Sequence, residues 1–168
     1  DIAVSRGILV LTSAGNSGND PWHYISAPSD GDSVLSIAAV GPDGFHADFS
    51  SYGPSSDGNV KPNLAAQGAY TVVQGTDGLI SIYGFGTSFA CPVLAGSATC
   101  LWQAHPTASA MEIHDAIQQS ANYALTPNDS LGYGIPDFAL AHSILSGIDE
   151  NASQSESLVV YPNPVNEY

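Results

Sequence analysis

The sequence predicts an α/β fold in which a mostly parallel sheet is flanked by helices. Two stretches indicate the sheet, because residues 8–11 are continuously apolar and residues 34–40 read Val-Leu-Ser-Ile-Ala-Ala-Val. Uninterrupted apolar strands are typical of parallel sheets, whose two faces are both covered. A third stretch indicates a long helix, since apolar residues recur at positions 89, 93, 94, 98, 101 and 102. The 168 residues suit one domain.

The first strand is predicted over Gly7–Ala14, after what resembles the end of a helix at residues 2–7. The strand ends at Gly15-Asn16. Ligands of open α/β sheets bind beyond the carboxyl ends of the strands, so Asn16 stands where a site residue is expected. An Asn after a Gly is also a common turn residue, and the local pattern leaves both interpretations open.

The middle of the chain alternates strands with loops and turns. Residues 17–33 predict a loop, residues 34–40 a strand and residues 61–68 a turn. Residues 69–73 and 79–83 predict two further strands that flank a hairpin turn at Gly75–Gly78.

A glycine-flanked Thr-Ser pair opens the long helix. Gly86 permits a close or left-handed backbone approach, and Pro92 falls in the first turn, where its missing N–H costs least. Ser88 therefore lies at or next to the helix N-terminus. Free N–H groups and the positive end of the helix dipole suit a developing oxyanion there. The alternative is that Ser88 is an ordinary helix cap.

Two shorter helices follow the long one, which ends at His105 before a proline. Ser109–Glu112 is a capping-box pattern that opens the second helix. His114 lies off the apolar face of this helix and is expected to be exposed. The apolar face consists of Ile113, Ala116, Ile117 and Ala121. The third helix is predicted from Pro136 to Gly147, with Phe138, Ala141 and Leu145 inward.

Composition argues against two classes of partner. The net charge is −14, with Arg6 and Lys61 as the only basic residues, so binding to a nucleic-acid backbone is not expected. No apolar run reaches the ~18 residues of a spanning helix, so no membrane insertion is expected. Cys91 and Cys100 lie on one helix ~13 Å apart, too far to pair, and are predicted to be small buried hydrophobes.

No cofactor or metal is predicted, apart from one open alternative in the loop at residues 17–33. Asp20, Asp30 and Asp32 supply carboxylates of the kind that calcium binds. The spacing has no EF-hand pattern, and solvated loop charge is the favoured explanation of these carboxylates.

Four motifs, in matching order and spacing, resemble those of the subtilisin-like serine peptidases. Gly86–Pro92, continued by Ala95-Gly96, resembles the nucleophile motif, and Ser13–Gly18 resembles the segment of the oxyanion hole. Phe49–Pro54 resembles the Phe-Ser-Ser-x-Gly turn, and Gly132–Pro136 resembles the closing Gly-x-Gly turn. The resemblance covers residues 3 to 146 and implies a three-layer subtilisin-like fold, present here as a partial domain over residues 1–147.

A weaker match lies at Lys61–Gly68, which resembles the family's Lys-Pro-Asp-x-x-Ala-Pro-Gly turn. It departs from that pattern at Asn63 and at Gln67.

The resemblance also implies a site and a substrate class. Ser88 would be the nucleophile of an endopeptidase acting on polypeptides, and Asn16 with the Ser88 N–H would hold the oxyanion. The resemblance also implies five substrate-binding residues. Ser13, Ala14 and Gly15 would form one wall of the specificity pocket, Ser26 would lie at its base, and Thr87 would stand beside the nucleophile.

The family's catalytic Asp and His motifs precede the Asn segment, and neither motif occurs in this sequence. None of the five histidines is followed by Gly-Thr; they are His23, His46, His105, His114 and His142. The chain is therefore expected to be the C-terminal part of a catalytic domain. Its partner would be the missing N-terminal part, and alone it should be inert.

Two further classes stay open, a non-catalytic pseudopeptidase that binds peptides and a purely structural sheet domain. An α/β-hydrolase fits less well, because Ala90 stands where its Gly-x-Ser-x-Gly elbow needs the last glycine.

The end of the chain changes in composition. Residues 148–157 are polar and predict a linker. Within residues 158–168, Tyr161–Val165 resembles the opening strand of the C-terminal sorting domains used by type IX secretion in Bacteroidota, truncated here. An unrelated edge strand is the alternative. The resemblance implies a bacterial protein that is secreted or held at the cell surface.

Overall fold

The computed structural model describes residues 2–147, without the side chains of residues 82 and 83. The linker and sorting segment predicted beyond residue 147 lie outside these residues. The elements, in chain order, are α1 Ile2–Ser5, β1 Leu11–Ser13, β2 Leu35–Val40, β3 Leu64–Gln67, β4 Thr71–Gln74, β5 Ile80–Gly84, α2 Thr87–Ala104, α3 Ala110–Gln119 and α4 Phe138–Ser146. None of these helices is both long and apolar enough to cross a membrane.

A parallel sheet with the strand order β1-β2-β3 forms the centre of the fold. Leu11 pairs with Leu35 across the first strand pair, and Ile37 pairs with Leu64 across the second. Every residue of β2 is buried because this strand is central. The predicted α/β fold with a parallel sheet is confirmed.

The first strand is shorter and less buried than predicted. It begins at Leu11 instead of Gly7, its three residues are half-buried, and the Ile8 side chain is 54% exposed. Within the described residues β1 pairs only with β2, so one edge of it has no strand beside it. The apolar run was correctly identified, but burial on both faces was a wrong expectation for residues at this edge.

The third strand occupies residues that were predicted to form a turn. Leu64–Gln67 pairs in parallel with β2, and Leu64, Ala65 and Ala66 are buried. The turn prediction is therefore wrong over these four residues. The preceding Lys61-Pro62 peptide bond is cis, so the chain does turn, but earlier.

Helix α2 packs across the sheet through a narrow stripe of residues. The stripe lies at helical spacing and consists of Thr87, Ala90, Leu94, Ala98 and Leu101. Its alanines share one core with Ile37 and Leu64 of the sheet. The predicted helix is confirmed, but its inward face is rotated, because Val93 is 46% exposed.

Helix α3 begins with the predicted capping box. The Glu112 N–H donates to Ser109 Oγ at 3.2 Å, and the Ser109 N–H donates to Glu112 Oε2 at 2.7 Å. The apolar face of α3 is buried as predicted. His114 is a correction, since it is 5% exposed and its Nδ1 lies 2.8 Å from Asp115 Oδ1. His114 lies outside the apolar face of α3, but it faces the rest of the protein and is buried by tertiary packing.

Helix α4 and the hairpin also form where the sequence predicts them. Asp137 caps the start of α4, one residue after Pro136, and Gly147 ends it in the left-handed conformation. Strands β4 and β5 form a separate antiparallel pair around the turn at residues 75–78. Cys91 and Cys100 are both free, as predicted, but Cys100 is exposed and therefore not the buried hydrophobe that was expected.

Candidate active site

The site lies where the carboxyl end of β1 meets the N-terminus of α2. Asn16 follows β1 by three residues, and Ser88 is the second residue of α2. Both side chains are exposed. The fold therefore brings together the two residues that the sequence predicts as nucleophile and oxyanion donor.

Asn16 is held in place by the start of α2. Its Oδ1 accepts hydrogen bonds from the Thr87 N–H and from the Thr87 hydroxyl, each at 2.9 Å. Gly86 is the N-cap residue of α2 and offers no side-chain bond of its own. Asn16 thus supplies the capping oxygen that an N-cap residue usually supplies. Ser88 is not the cap, so that alternative is wrong.

The capping bonds decide which way the Asn16 amide faces. Because Oδ1 is directed at Thr87, Nδ2 is left as the free donor of this side chain. A Cβ atom added to Gly86 would lie 3.1 Å from Ser88 Oγ and 3.5 Å from Asn16 Nδ2. The hydroxyl and the amide N–H groups therefore flank the same point. That point is open only because residue 86 is glycine, at a φ of 144°.

The N-terminus of α2 adds further donors at this point. The first N–H groups of a helix have no partner within it, and they mark the positive end of its dipole. Among the described residues, Ser88 Oγ has no hydrogen-bond partner. The arrangement can place a hydroxyl against an electrophilic carbonyl and surround the resulting oxyanion with N–H donors.

The predicted wall of the substrate cleft follows directly from β1. Ala14 is buried and its N–H donates to the Ile37 carbonyl at 2.9 Å. The Gly15 carbonyl accepts from the Ser51 N–H at 2.9 Å, and Ser51 Oγ would lie 2.7 Å from a Cβ at Gly15. Gly15 has a φ of 108°, so glycine is required there for two reasons.

The predicted base of the cleft is tied to this wall. The Ser29 N–H donates to the Ser26 carbonyl at 3.0 Å, and Ser29 Oγ donates to the Ser13 carbonyl at 2.8 Å. The Ala27-Pro28 peptide bond within this turn is cis. Ser29 and Ser51 are thus positioning residues that the sequence reasoning missed. Ser51 lies within the Phe49–Pro54 motif, whereas no local pattern distinguishes Ser29 from other loop serines.

Thr87, which the resemblance implies as a substrate-binding residue, lies behind Asn16. Its side chain is 1% exposed. Its hydroxyl donates to Asn16 and accepts from the Gly15 N–H at 3.2 Å. Thr87 therefore connects the wall of the cleft to Asn16 from behind, and its only hydroxyl proton is used in the bond to Asn16.

None of the five histidines bonds Ser88 within residues 2–147, and each has other contacts. His105 pairs with His142, His114 with Asp115, and His46 with Tyr52, while His23 contacts Tyr24 and Tyr52. Burial lowers the pKa of His46, against the opposing effect of Asp48. The described part of the chain therefore holds the predicted nucleophile and the predicted oxyanion donor, without a histidine hydrogen-bonded to Ser88.

The acidic loop shows no assembled cation site. Within residues 2–147, no three side chains of the His, Cys, Asp and Glu types cluster at metal-binding distance. Asp32 accepts instead from Asn59 Nδ2 at 3.1 Å. The ammonium of Lys61 lies in the same region and donates to the Gly31 and Val34 carbonyls at 2.7 and 2.8 Å.

Comparisons with known proteins identify the family and the fold of this chain. A model described as the Subtilase family matches residues 1–134. Subtilisin NAT of Bacillus subtilis subsp. natto is 33% identical over 124 residues, which are 73% of this chain and 31% of that protein. A thermostable alkaline protease of Halalkalibacterium halodurans is 32% identical over 132 residues, 76% of this chain and 34% of that protein. The chain thus spans about a third of the length of these curated relatives.

Solved structures show the same fold. The self-cleaved protease domain of PatA matches with a TM-score of 0.70 at 22% identity, over 87% of this chain and 53% of that chain. MycP1 from Mycobacterium smegmatis matches with a TM-score of 0.69 at 23% identity, over 82% and 42%. The PatG macrocyclase in complex with peptide matches with a TM-score of 0.70 at 19% identity, over 87% and 45%. These likenesses confirm the predicted fold class.

Proposed function

The chain belongs to the subtilase family, and on that premise we propose that it carries the nucleophile half of the site of a serine endopeptidase that cleaves polypeptides. The observation that carries this proposal is the pair of bonds from Thr87 to Asn16 Oδ1. They leave Asn16 Nδ2 facing the point beside Ser88 Oγ, where the oxyanion of a tetrahedral intermediate would form.

The reaction follows from the chemistry of a serine hydroxyl. Ser88 Oγ attacks the peptide carbonyl while a histidine takes its proton, and an aspartate orients that histidine. The carbonyl oxygen becomes an oxyanion that Asn16 Nδ2 and the Ser88 N–H stabilise. Collapse of this intermediate expels the amine, which takes the proton back from the histidine. Water then releases the acyl group by the same steps.

The histidine and aspartate would come from a part of the protein outside these 168 residues. Two observations support this. No histidine bonds Ser88 in the described part of the chain, and the chain spans only about a third of its curated relatives. The edge of β1 that carries no partner strand among residues 2–147 is the place where further strands of the sheet would pair. Without that part we expect no turnover.

A similar protein and a fold neighbour are named as proteases, and another fold neighbour was solved with a peptide. A peptide substrate would lie along Ser13–Gly15 and over the turn that carries Ser26. We further propose that the protein is exported by a bacterium, to the medium or to the cell surface. The type IX-like segment at residues 158–168 and the charge of −14 support export.

The test is a fluorophosphonate probe, applied to the intact, folded protein and located by mass spectrometry. We expect an adduct on Ser88 that disappears in Ser88→Ala. An unlabelled Ser88 in a protein shown to be folded would overturn the proposal. The cleft would then be one that binds peptides without cutting them.

Two substitutions at Asn16 separate its donor from its capping acceptor. Asn16→Asp keeps an oxygen for Thr87 and removes the Nδ2 donor, whereas Asn16→Leu removes both. Asn16→Leu should lose turnover by the ~10²–10³-fold that removal of such a donor causes in subtilisin. Asn16→Asp should lose at least as much, because its carboxylate also repels the oxyanion. Only Asn16→Leu should also lose the cap, at about 1 kcal/mol of stability. Equal stability of the two variants would contradict the capping role.

A further inference from the structure

Two histidines that the proposed reaction does not use lie in contact, one at the C-terminal end of α2 and one in the middle of α4. His105 is the C-cap residue of α2, and His142 lies in the middle of α4. Nε2 of His105 and Nδ1 of His142 are 2.8 Å apart, in a solvent-accessible position. Ser88 is at the opposite end of α2, ~25 Å away at the rise of an α-helix.

The distance between the two nitrogens fits a hydrogen bond, and it also fits two ligands of one metal ion. Two nitrogen ligands ~2.0 Å from one metal ion and at a right angle to each other stand ~2.8 Å apart. Two ligands of a tetrahedral zinc ion stand ~3.3 Å apart. The pair thus matches the right-angled coordination of Cu²⁺ and Ni²⁺ better than that of Zn²⁺.

The orientation of the rings points the same way. Their centroids are 4.7 Å apart and their planes are inclined at 51°. A straight N–H···N bond of this length would separate the centroids by about 5.1 Å, and a shared ion at a right angle would separate them by about 4.5 Å. The observed value lies between the two, so the rings are tilted out of the line of a straight hydrogen bond, as a shared ion would require.

From this geometry we propose that His105 and His142 form a bidentate site for a divalent transition-metal ion of the Cu²⁺ or Ni²⁺ type. The site is open. Within residues 2–147 no third His, Cys, Asp or Glu side chain completes a cluster, so water fills the other positions. The net charge of −14 and the negative end of the α2 dipole both favour a cation there.

A bound ion would connect the helix that carries Ser88 to the last described helix. Anything that binds only the folded state raises its stability. The ion should therefore stabilise α4 against α2 without reaching the chemistry at Ser88. Because protonated imidazoles have no lone pair to offer, binding should disappear in acid.

The test uses the intact, untagged protein, with Ni²⁺ as the probe because it does not oxidise the exposed thiol of Cys100. Ni²⁺ is titrated calorimetrically, and the melting temperature is measured with and without it. His105→Gln and His142→Gln can still form hydrogen bonds through Gln but cannot chelate, and His23→Gln is the matched control outside the pair.

We expect Ni²⁺ affinity to fall at least about tenfold in either pair variant, on the scale that metal sites show when a supporting group is lost. The increase in melting temperature should be lost in both pair variants and kept in His23→Gln. Full Ni²⁺ affinity in the pair variants, or no Ni²⁺ binding by the parent protein, would overturn the proposal. In a Cys100→Ser background, Zn²⁺ binding more tightly than Cu²⁺ would refute the right-angled geometry.

Discussion

Lys61 offers the sharpest test of the electrostatics of this fold. Its side chain is 2% exposed, and Nζ donates to the Gly31 carbonyl, the Val34 carbonyl and Asn63 Oδ1 at 2.7, 2.8 and 2.8 Å. Among the described residues it forms no ion pair. Burial lowers the pKa of Lys61 to about 8 from 10.5, although the charges of nearby aspartates, Asp32 first, oppose this shift.

The sign of the resulting pH dependence follows from proton binding. Below about pH 8 the folded and the unfolded chain both hold the Lys61 proton, so the stability contribution is constant. Between about 8 and about 10.4 the unfolded chain holds the proton and the folded chain releases it, so the free energy of unfolding rises with pH. With these two values, the rise from about pH 7 to about pH 9 is about 1.3 kcal/mol.

The measurement is urea unfolding of the intact protein near both pH values, for the parent and for Lys61→Met. The variant should be less stable at both by about 1–3 kcal/mol, because the Val34 carbonyl loses its donor. Its deficit should be about 1.3 kcal/mol larger at the higher pH. Other groups titrate alike in both proteins and cancel. Arg6→Met, which removes the only other basic side chain, should give no pH-dependent difference.

A second variant tests the same reasoning from the opposite side. Asn63→Asp would place a carboxylate at the position of the oxygen that lies 2.8 Å from Nζ. The pKa of Lys61 should then rise, and the gain in stability towards pH 9 should shrink. A deficit of Lys61→Met that is equal at both pH values would refute the argument. The hydrogen bonds to the three oxygens would then stabilise the protonated amine of Lys61 by more than burial destabilises it.

Three further predictions concern the site and the core. Gly86→Ala should reduce turnover strongly and also lower the stability of the fold, since its Cβ would lie 3.1 Å from Ser88 Oγ and a φ of 144° disfavours any side chain. Normal kinetics with a peptide substrate would contradict this. Ser109→Ala should cost about 1 kcal/mol in denaturant unfolding. The Ser109 N–H first, and the Ser109 side chain second, lower the pKa of the Glu112 carboxyl. Because the substitution removes the second of these, part of the loss should diminish as acid protonates Glu112. Leu94→Ala, at a position 2% exposed, should cost about 2–5 kcal/mol, and a smaller loss would mean that α2 moves to fill the space.

The elements with strong local signals could be predicted from the sequence, and those fixed by distant contacts could not. The capping box at Ser109 acts within four residues, and β2 is apolar throughout. Strand β3 was missed because Leu64-Ala65-Ala66 is too short and too small to signal a strand. It becomes one through pairing with β2. The burial of His114 likewise depends on packing against other parts of the chain, which the pattern of α3 alone does not contain.

The candidate site shows the same division within a single residue. The motif around Asn16 was enough to predict an oxyanion donor, but not the helix N-terminus, 71 residues along the chain, that its other atom caps. The Asn16 amide group has both roles. Its Oδ1 accepts the hydrogen bonds from Thr87 at the start of α2, and those bonds fix the direction in which Nδ2 points. The donor is therefore positioned by a bond that already stabilises the fold, and no additional residue has to orient it. It also follows that replacing Asn16 by an apolar residue perturbs the Ser88 backbone as well as the donor, so only a variant that retains the acceptor separates the loss of the donor from the loss of the cap.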